Sequence, residues 1–169
     1  EIPLLVGYVG RNESGSGAPF TNAAALLRKG KVEKVFSKCL LPTYDVFDEA
    51  RYFQPAEEVG WFDHLGKRVG VTICEDIWRE DYLPSKLYVK NPPLALAEAG
   101  CDLIVNLSAS PFHAGKQETR ERMLREVAQA TECDLIYCNA VGGNDQLVFD
   151  GKSVVVSANG FVFRTLRGF

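Results

Sequence analysis

The chain has 169 residues, enough for one domain with a substantial core, and its 46% apolar and 24% charged residues exclude disorder and collagen-like repeats. A net charge of -3 leaves no basic footprint for nucleic acid or anionic membrane, and no apolar run approaches the ~18 residues of a membrane span. The start Glu1-Ile2-Pro3 lacks the basic region of a signal peptide, and five cysteines (Cys39, Cys74, Cys101, Cys133, Cys138) without C-x-x-C spacing argue against disulfides and structural zinc, so a reducing, cytoplasmic setting is expected.

Residues 3–9 form the first predicted strand, and a chain that is apolar from its second residue suggests a piece of a longer protein. Residues 10–20, rich in Gly, Ser and Asn, read as a loop. Residues 23–27 favour helix by propensity. Yet Lys29-Gly30-Lys31 followed by the alternating residues 32–36 favours a hairpin, whose second arm runs past Lys38 and ends at Pro42. Residues 41–53 are dense in aromatics and acids without a period, as in a packed loop that lines a site or closes the core. The mostly β-branched residues 69–73 predict a buried strand that stops at Cys74, because Glu75 and Asp76 cannot be buried unpaired.

An irregular stretch follows over 78–92, then a short helix over 94–99 closed by Gly100. Residues 101–107 predict a second apolar strand that ends in the polar turn 108–112. The clearest helix covers 116–131 and puts Met123, Leu124, Val127 and Ala128 on one face. A third strand over 134–139, a glycine-containing turn over 141–145 and a fourth strand over 153–157 come next, and Asn159-Gly160 turns the chain into 161–163. These elements predict α/β layers around a mixed sheet, in one domain without internal repeats.

Chemistry centres on Cys74. Its position leaves two readings open: a thiol exposed at a strand corner, where backbone N–H groups can face a reacting oxygen, or a buried core cysteine. As a nucleophile on an amide it needs a cation near the developing oxyanion and a base for its proton, most simply a carboxylate. Lys38 is a candidate cation, although spacing alone does not pair it with Cys74. His64 and His113 are the only histidines, each either a surface residue or a catalytic partner brought close by the fold.

Three ordered blocks carry a resemblance. They are Lys38-x-x-Leu41-Pro42-x-Tyr44-x-Val46-Phe47-Asp48-Glu49-x-Arg51-Tyr52-Phe53, Gly70-x-x-Ile73-Cys74-Glu75-Asp76-Ile77-Trp78 and Asn106-Leu107-Ser108-Ala109-Ser110-Pro111-Phe112. Further matches are Gly115-Lys116 with Arg120, Tyr137-Cys138-Asn139 through Asp145, and Phe149-Asp150-Gly151-x-Ser153. Together they resemble the nitrilase superfamily of carbon–nitrogen hydrolases, most closely the glutaminase domains of glutamine-dependent NAD synthetases.

The resemblance implies an αββα sandwich, incomplete at its N-terminus, with residues 1–169 as part of a glutaminase domain and the synthetase domain outside the chain. It makes Cys74 the nucleophile, Lys38 the catalytic lysine, the Glu75 N–H part of an oxyanion hole, and Tyr44, Phe47, Glu75 and Ser110 the substrate pocket. The implied substrate is glutamine, hydrolysed through a thioester without a metal. ATP, Mg and deamido-NAD would serve the synthetase domain, and a homo-oligomer is expected. The family's catalytic glutamate closes a strand upstream of the segment matching residues 3–9, and Glu1, which precedes a strand, is not given that role. Two alternatives follow: a stand-alone amidase or carbamoylase, or a catalytically silent interaction module lacking its base.

Overall fold

In the computed structural model, which describes residues 2–44, 47–83 and 88–168, hairpins flank a run in which strands and helices alternate. Glu1, Val46 of the first block and residues 84–87 of the predicted irregular stretch lie outside the described residues. β1 (Leu4–Arg11), β2 (Phe20–Arg28) and β3 (Lys31–Ser37) make an antiparallel sheet in the order β1-β2-β3. Helix propensity in 23–27 loses to pairing. Lys29 and Gly30 both have positive φ (52° and 70°), as a tight hairpin turn matched to strand twist requires, and Ala24 and Leu26 are buried.

β4 (Gly60–His64), β5 (Lys67–Ile73), β6 (Leu103–Ser108) and β7 (Asp134–Asn139) belong to a second sheet. A two-stranded hairpin follows, β8 (Val141–Asn144) with β9 (Leu147–Asp150), and then β10 (Val154–Val156) and β11 (Val162–Thr165) return to the second sheet. Its order is β11-β10-β7-β6-β5-β4, parallel across β5, β6 and β7 and antiparallel at both wings. The parallel crossovers use α1 (Pro92–Glu98), N-capped by the Asn91 side chain, and α2 (Lys116–Thr131).

Both helices cover one face of this sheet, burying Leu96, Met123, Leu124 and Val127 against Ile104, Leu135 and Val154. Gly70 allows the close approach: a Cβ there would lie 2.8 Å from Leu96 Cδ1. The other face meets the three-stranded sheet through Ala24, Leu26, Phe36, Val69, Val71 and Ile73. Helix, sheet and sheet are therefore three of the expected sandwich layers, and the predicted helix over 116–131 and strand over 134–139 have the observed bounds.

Three segments differ from expectation. The hairpin arm predicted to run past Lys38 to Pro42 ends at Ser37: the Lys38 N–H still donates to the Asn22 carbonyl of β2, but those of Cys39 and Leu40 turn to Asp76. The predicted turn over 141–145 is mostly strand β8, with the reversal at Asp145 (φ 51°); Gly142 and Gly143 hide the strand because glycine carries no strand-forming side chain. β4 was not anticipated. It joins β5 through Leu65 and Gly66, both at positive φ, and an exposed leucine in such a turn is not a recognisable turn signal.

Candidate active site

The carboxyl ends of three parallel strands meet at one edge of the sheet, the position where open α/β sheets place ligands. β5 delivers Cys74, β6 leads into Ser110, and β7 ends on Asn139. Cys74 opens a short 3-10 turn, Cys74–Ile77, and adopts φ 47°, a left-handed conformation that costs a non-glycine residue about 1–2 kcal/mol. Asp76 holds this corner. Its buried carboxylate accepts the N–H groups of Ile73 (3.0 Å), Cys39 (3.0 Å) and Leu40 (2.8 Å), tying the turn to the segment just after Lys38. Burial outweighs those donors and pushes the Asp76 carboxyl up to about 6. Asn106 Nδ2 donates to Thr72 Oγ1 at 3.0 Å and to the Cys74 carbonyl at 3.4 Å, while Ser108 Oγ donates to Asn106 Oδ1 at 2.6 Å.

Lys38 is fully buried immediately after β3, where an unpaired ammonium would be costly. Glu49 neutralises it, taking Nζ on both carboxylate oxygens at 2.8 and 2.9 Å and also accepting Asn22 Nδ2 at 3.4 Å. Cys74 is half-buried. Desolvation pushes its thiol pKa up and the Lys38 charge pulls it back; Glu75 and Glu49 add to the rise, and the Ala109 N–H opposes it.

Cys74 stands on the wall of two clefts. One, of about 520 Å³, is lined by Tyr44, Phe47, Cys74, Glu75, Ser110 and Lys116 among others. The other, of about 610 Å³, shares Phe47 and Cys74 and adds Asn22, Glu49, Cys138 and Phe149. Tyr44 donates its hydroxyl to Glu75 Oε1 at 2.6 Å, and its ring stands edge-on to Phe47, 6.3 Å between centroids. Burial raises the Glu75 carboxyl above its ordinary range; donation from Tyr44, the Lys38 charge and donation from Tyr88 restrain the rise.

Ser110 is held through its backbone. Its N–H donates to Asn139 Oδ1 at 2.9 Å, and Asn139 Nδ2 donates to the Gly151 carbonyl at 2.9 Å and Asp150 Oδ1 at 3.3 Å. Buried Arg120 of α2 donates to Asp150 Oδ1 at 3.0 Å and closes the network. Lys116, first residue of α2, lies with Nζ 5.7 Å from the Trp78 ring centroid, and burial with the nearby Arg120 charge lowers its pKa.

Tyr44, Phe47, Glu75 and Ser110 thus share a cleft with Cys74, and Lys38 lies behind it, close enough for its charge to act on the thiol. Glu49, Asp76, Lys116 and Asn139 stood in the quoted blocks without a role. Only Glu49 offered a clue, as an acid 11 residues after Lys38 in the same block. His113 lines the first cleft, whereas His64 closes β4 and lines neither. All five cysteines are free, and among the described residues no group of three or more His, Cys, Asp or Glu side chains gathers as a metal site. No helix among the described residues is long and apolar enough to cross a membrane.

Known proteins are similar to this chain along nearly its whole length. It is 46% identical over 163 residues to a glutamine-dependent NAD(+) synthetase of Synechocystis sp., covering 94% of this chain and 29% of that protein. A protein of the same name from Thermotoga maritima is 43% identical over 161 residues, covering 95% and 26%. The chain therefore spans less than a third of the length of these relatives. Among solved structures, glutamine-dependent NAD+ synthetase from Acinetobacter baumannii, in complex with adenosine diphosphate, superposes with a TM-score of 0.85 at 36% identity, covering 99% of this chain and 30% of that one. A carbon-nitrogen hydrolase from Helicobacter pylori shares the fold at a TM-score of 0.80 and 22% identity, covering 99% and 59%. Residues 1–167 match the carbon-nitrogen hydrolase family. Such a match over almost every residue, on this fold, establishes that the chain belongs to the carbon–nitrogen hydrolase family.

Proposed function

We propose that this chain is the glutaminase part of a glutamine-dependent NAD synthetase and that Cys74 is its nucleophile. The observation that carries this reading is one cleft shared by Cys74 and groups of both charge signs, Glu75 and Lys116, as a zwitterionic amino-acid amide requires. Similarity to NAD synthetases over 94% and 95% of the chain supports glutamine as that amide.

In the proposed reaction the Cys74 thiol gives its proton to a carboxylate base and its sulfur attacks the side-chain amide carbon. The oxyanion faces the Glu75 N–H and the Lys38 ammonium, which is paired with Glu49. Collapse breaks the C–N bond, and ammonia leaves with the transferred proton. Water then adds to the thioester, releasing glutamate and restoring the thiol. Among the described residues Glu49 is the carboxylate on Lys38; the resemblance gives the role of base to a glutamate ahead of residue 3. Tyr44, Glu75, Ser110 and Lys116 would hold the α-amino and α-carboxylate groups, with Phe47 shaping the wall. ATP, Mg and deamido-NAD would serve the synthetase domain of the proposed longer protein, and glutamine hydrolysis does not use them. Cytoplasmic location and a homo-oligomeric state are part of the same proposal.

The test uses the protein at its native length. Cys74→Ala is expected to abolish glutamine-dependent NAD synthesis while ammonia-dependent synthesis survives. Equal loss of both counts against the reading, and a substrate panel without preference for glutamine points instead to a stand-alone amidase.

A further inference from the structure

The stretch between the 3-10 turn Cys74–Ile77 and α1 supplies only Trp78 to the sequence blocks, yet Tyr82 and Leu83 also line the cleft and Tyr88 reaches Glu75. Its first part is fastened to α2: Tyr82 donates its hydroxyl to Glu126 Oε1 at 2.8 Å, and Arg79 lies 3.9 Å from Glu126 Oε2. Further along, Tyr88 donates its hydroxyl to Glu75 Oε1 at 3.4 Å, the same oxygen that takes Tyr44 at 2.6 Å. Tyr44 stands in the cleft with Cys74. Tyr88 instead borders a separate cavity of about 110 Å³ with Leu40 and Trp78. Both phenols donate to Oε1, and the Glu75 side chain that carries Oε2 lines the cleft.

We propose that Tyr88 is a positioning residue: through its hydrogen bond it holds the Glu75 carboxylate aimed at the cleft, so that amides carrying an α-ammonium group are preferred. This rests on the glutamine reading above. A carboxylate fixed by two donors presents its charge without having to freeze a rotamer on binding, and it leaves amides without a cation nothing to gain. The groups whose charges or hydrogen bonds act on Glu75 come from every element around it: Lys38, Tyr44 and Glu49 before the turn, Cys74 within it, Tyr88 after it, and Lys116 on α2. Burial raises the Glu75 carboxyl and the Tyr88 donation opposes that rise, so deleting the hydroxyl moves its titration to higher pH.

Tyr88→Phe keeps the ring, and hence the packing, and removes only the donor. In the native-length protein the variant is expected to raise KM for glutamine about fivefold with kcat nearly unchanged, the loss of one long hydrogen bond to a charged group. The acidic limb of its kcat/KM profile for glutamine should move to higher pH. For 4-carbamoylbutanoate, which is glutamine without its α-amino group, kcat/KM should stay within about twofold of the unsubstituted protein. Equal losses on the two amides, or wild-type kinetics and pH profile on both, would overturn the role of Tyr88 and leave the glutamine reading standing. Absence of glutamine turnover in the unsubstituted protein would overturn the reading itself and the proposal with it.

Discussion

Lys38 and Asp76 bring opposite charges into one buried corner, each compensated differently. Lys38 meets a carboxylate, whereas Asp76 meets three backbone N–H groups. The second arrangement has a pH signature. The Asp76 carboxyl rises from 3.8 to about 6 on folding, so between those values the folded state binds the proton more tightly than the unfolded chain. Its contribution to stability is therefore greatest below pH ~4 and declines as pH rises towards ~6, at about 1.4 kcal/mol per unit and by at most ~3 kcal/mol. Asp76→Asn cannot titrate. The stability difference, wild type minus variant, should shrink between pH ~4 and ~6.5 in denaturant melts followed by tryptophan fluorescence; a difference that grows would mean that the three donors outweigh burial. At this scale the sequence blocks named Cys74, Lys38 and the cleft residues. The work of Asp76 was illegible and that of Glu49 only hinted at, because a carboxylate takes its role from the donors that the fold places around it.

Helix α2 illustrates how one element serves both core and site. Its apolar stripe, Met123, Leu124, Val127 and Ala128, was legible from the period alone and covers the sheet as expected. Arg120, on the same helix, is also buried and supports the Ser110 backbone through Asp150 and Asn139, which no periodicity reveals. Arg120→Met is expected to cost about 3–5 kcal/mol by stranding a buried carboxylate, and Asp150→Asn in the same background should recover part of that loss. Thermal melting of the two single variants and the double variant checks this; strictly additive losses would mean that the pair is uncoupled. The β4–β5 and β8–β9 hairpins mark the limit of such reading, since a Leu-Gly turn and a glycine-rich strand send weak local signals that pairing overrides.

Across the whole molecule, the sheet with the helices is covered on both faces, but the three-stranded sheet is not. Leu4, Val6, Val9, Val32 and Val35 remain exposed, and β1 pairs with β2 alone among the described residues. The 169-residue chain by itself should therefore self-associate at micromolar concentration in light-scattering measurements, and a monodisperse, cooperatively melting monomer would contradict this. The sequence by itself determined the α/β class, the order of the main strands and helices and the cysteine at a strand end, since alternation, helical period and turn chemistry act between residues near in the chain. Only the tertiary structure decided that Lys38 belongs with Glu49, that Asp76 ties the Cys74 turn to the Lys38 segment, and that Glu75 and Lys116 share the thiol's cleft. Those groupings join residues from 11 to 42 positions apart, across sheets and crossovers, and for Lys38 and Asp76 the cost of burying a charge unpaired selects them. Cys74, which the residues alone left between core thiol and nucleophile, is half-buried at a strained corner facing both clefts because the ends of three parallel strands converge there.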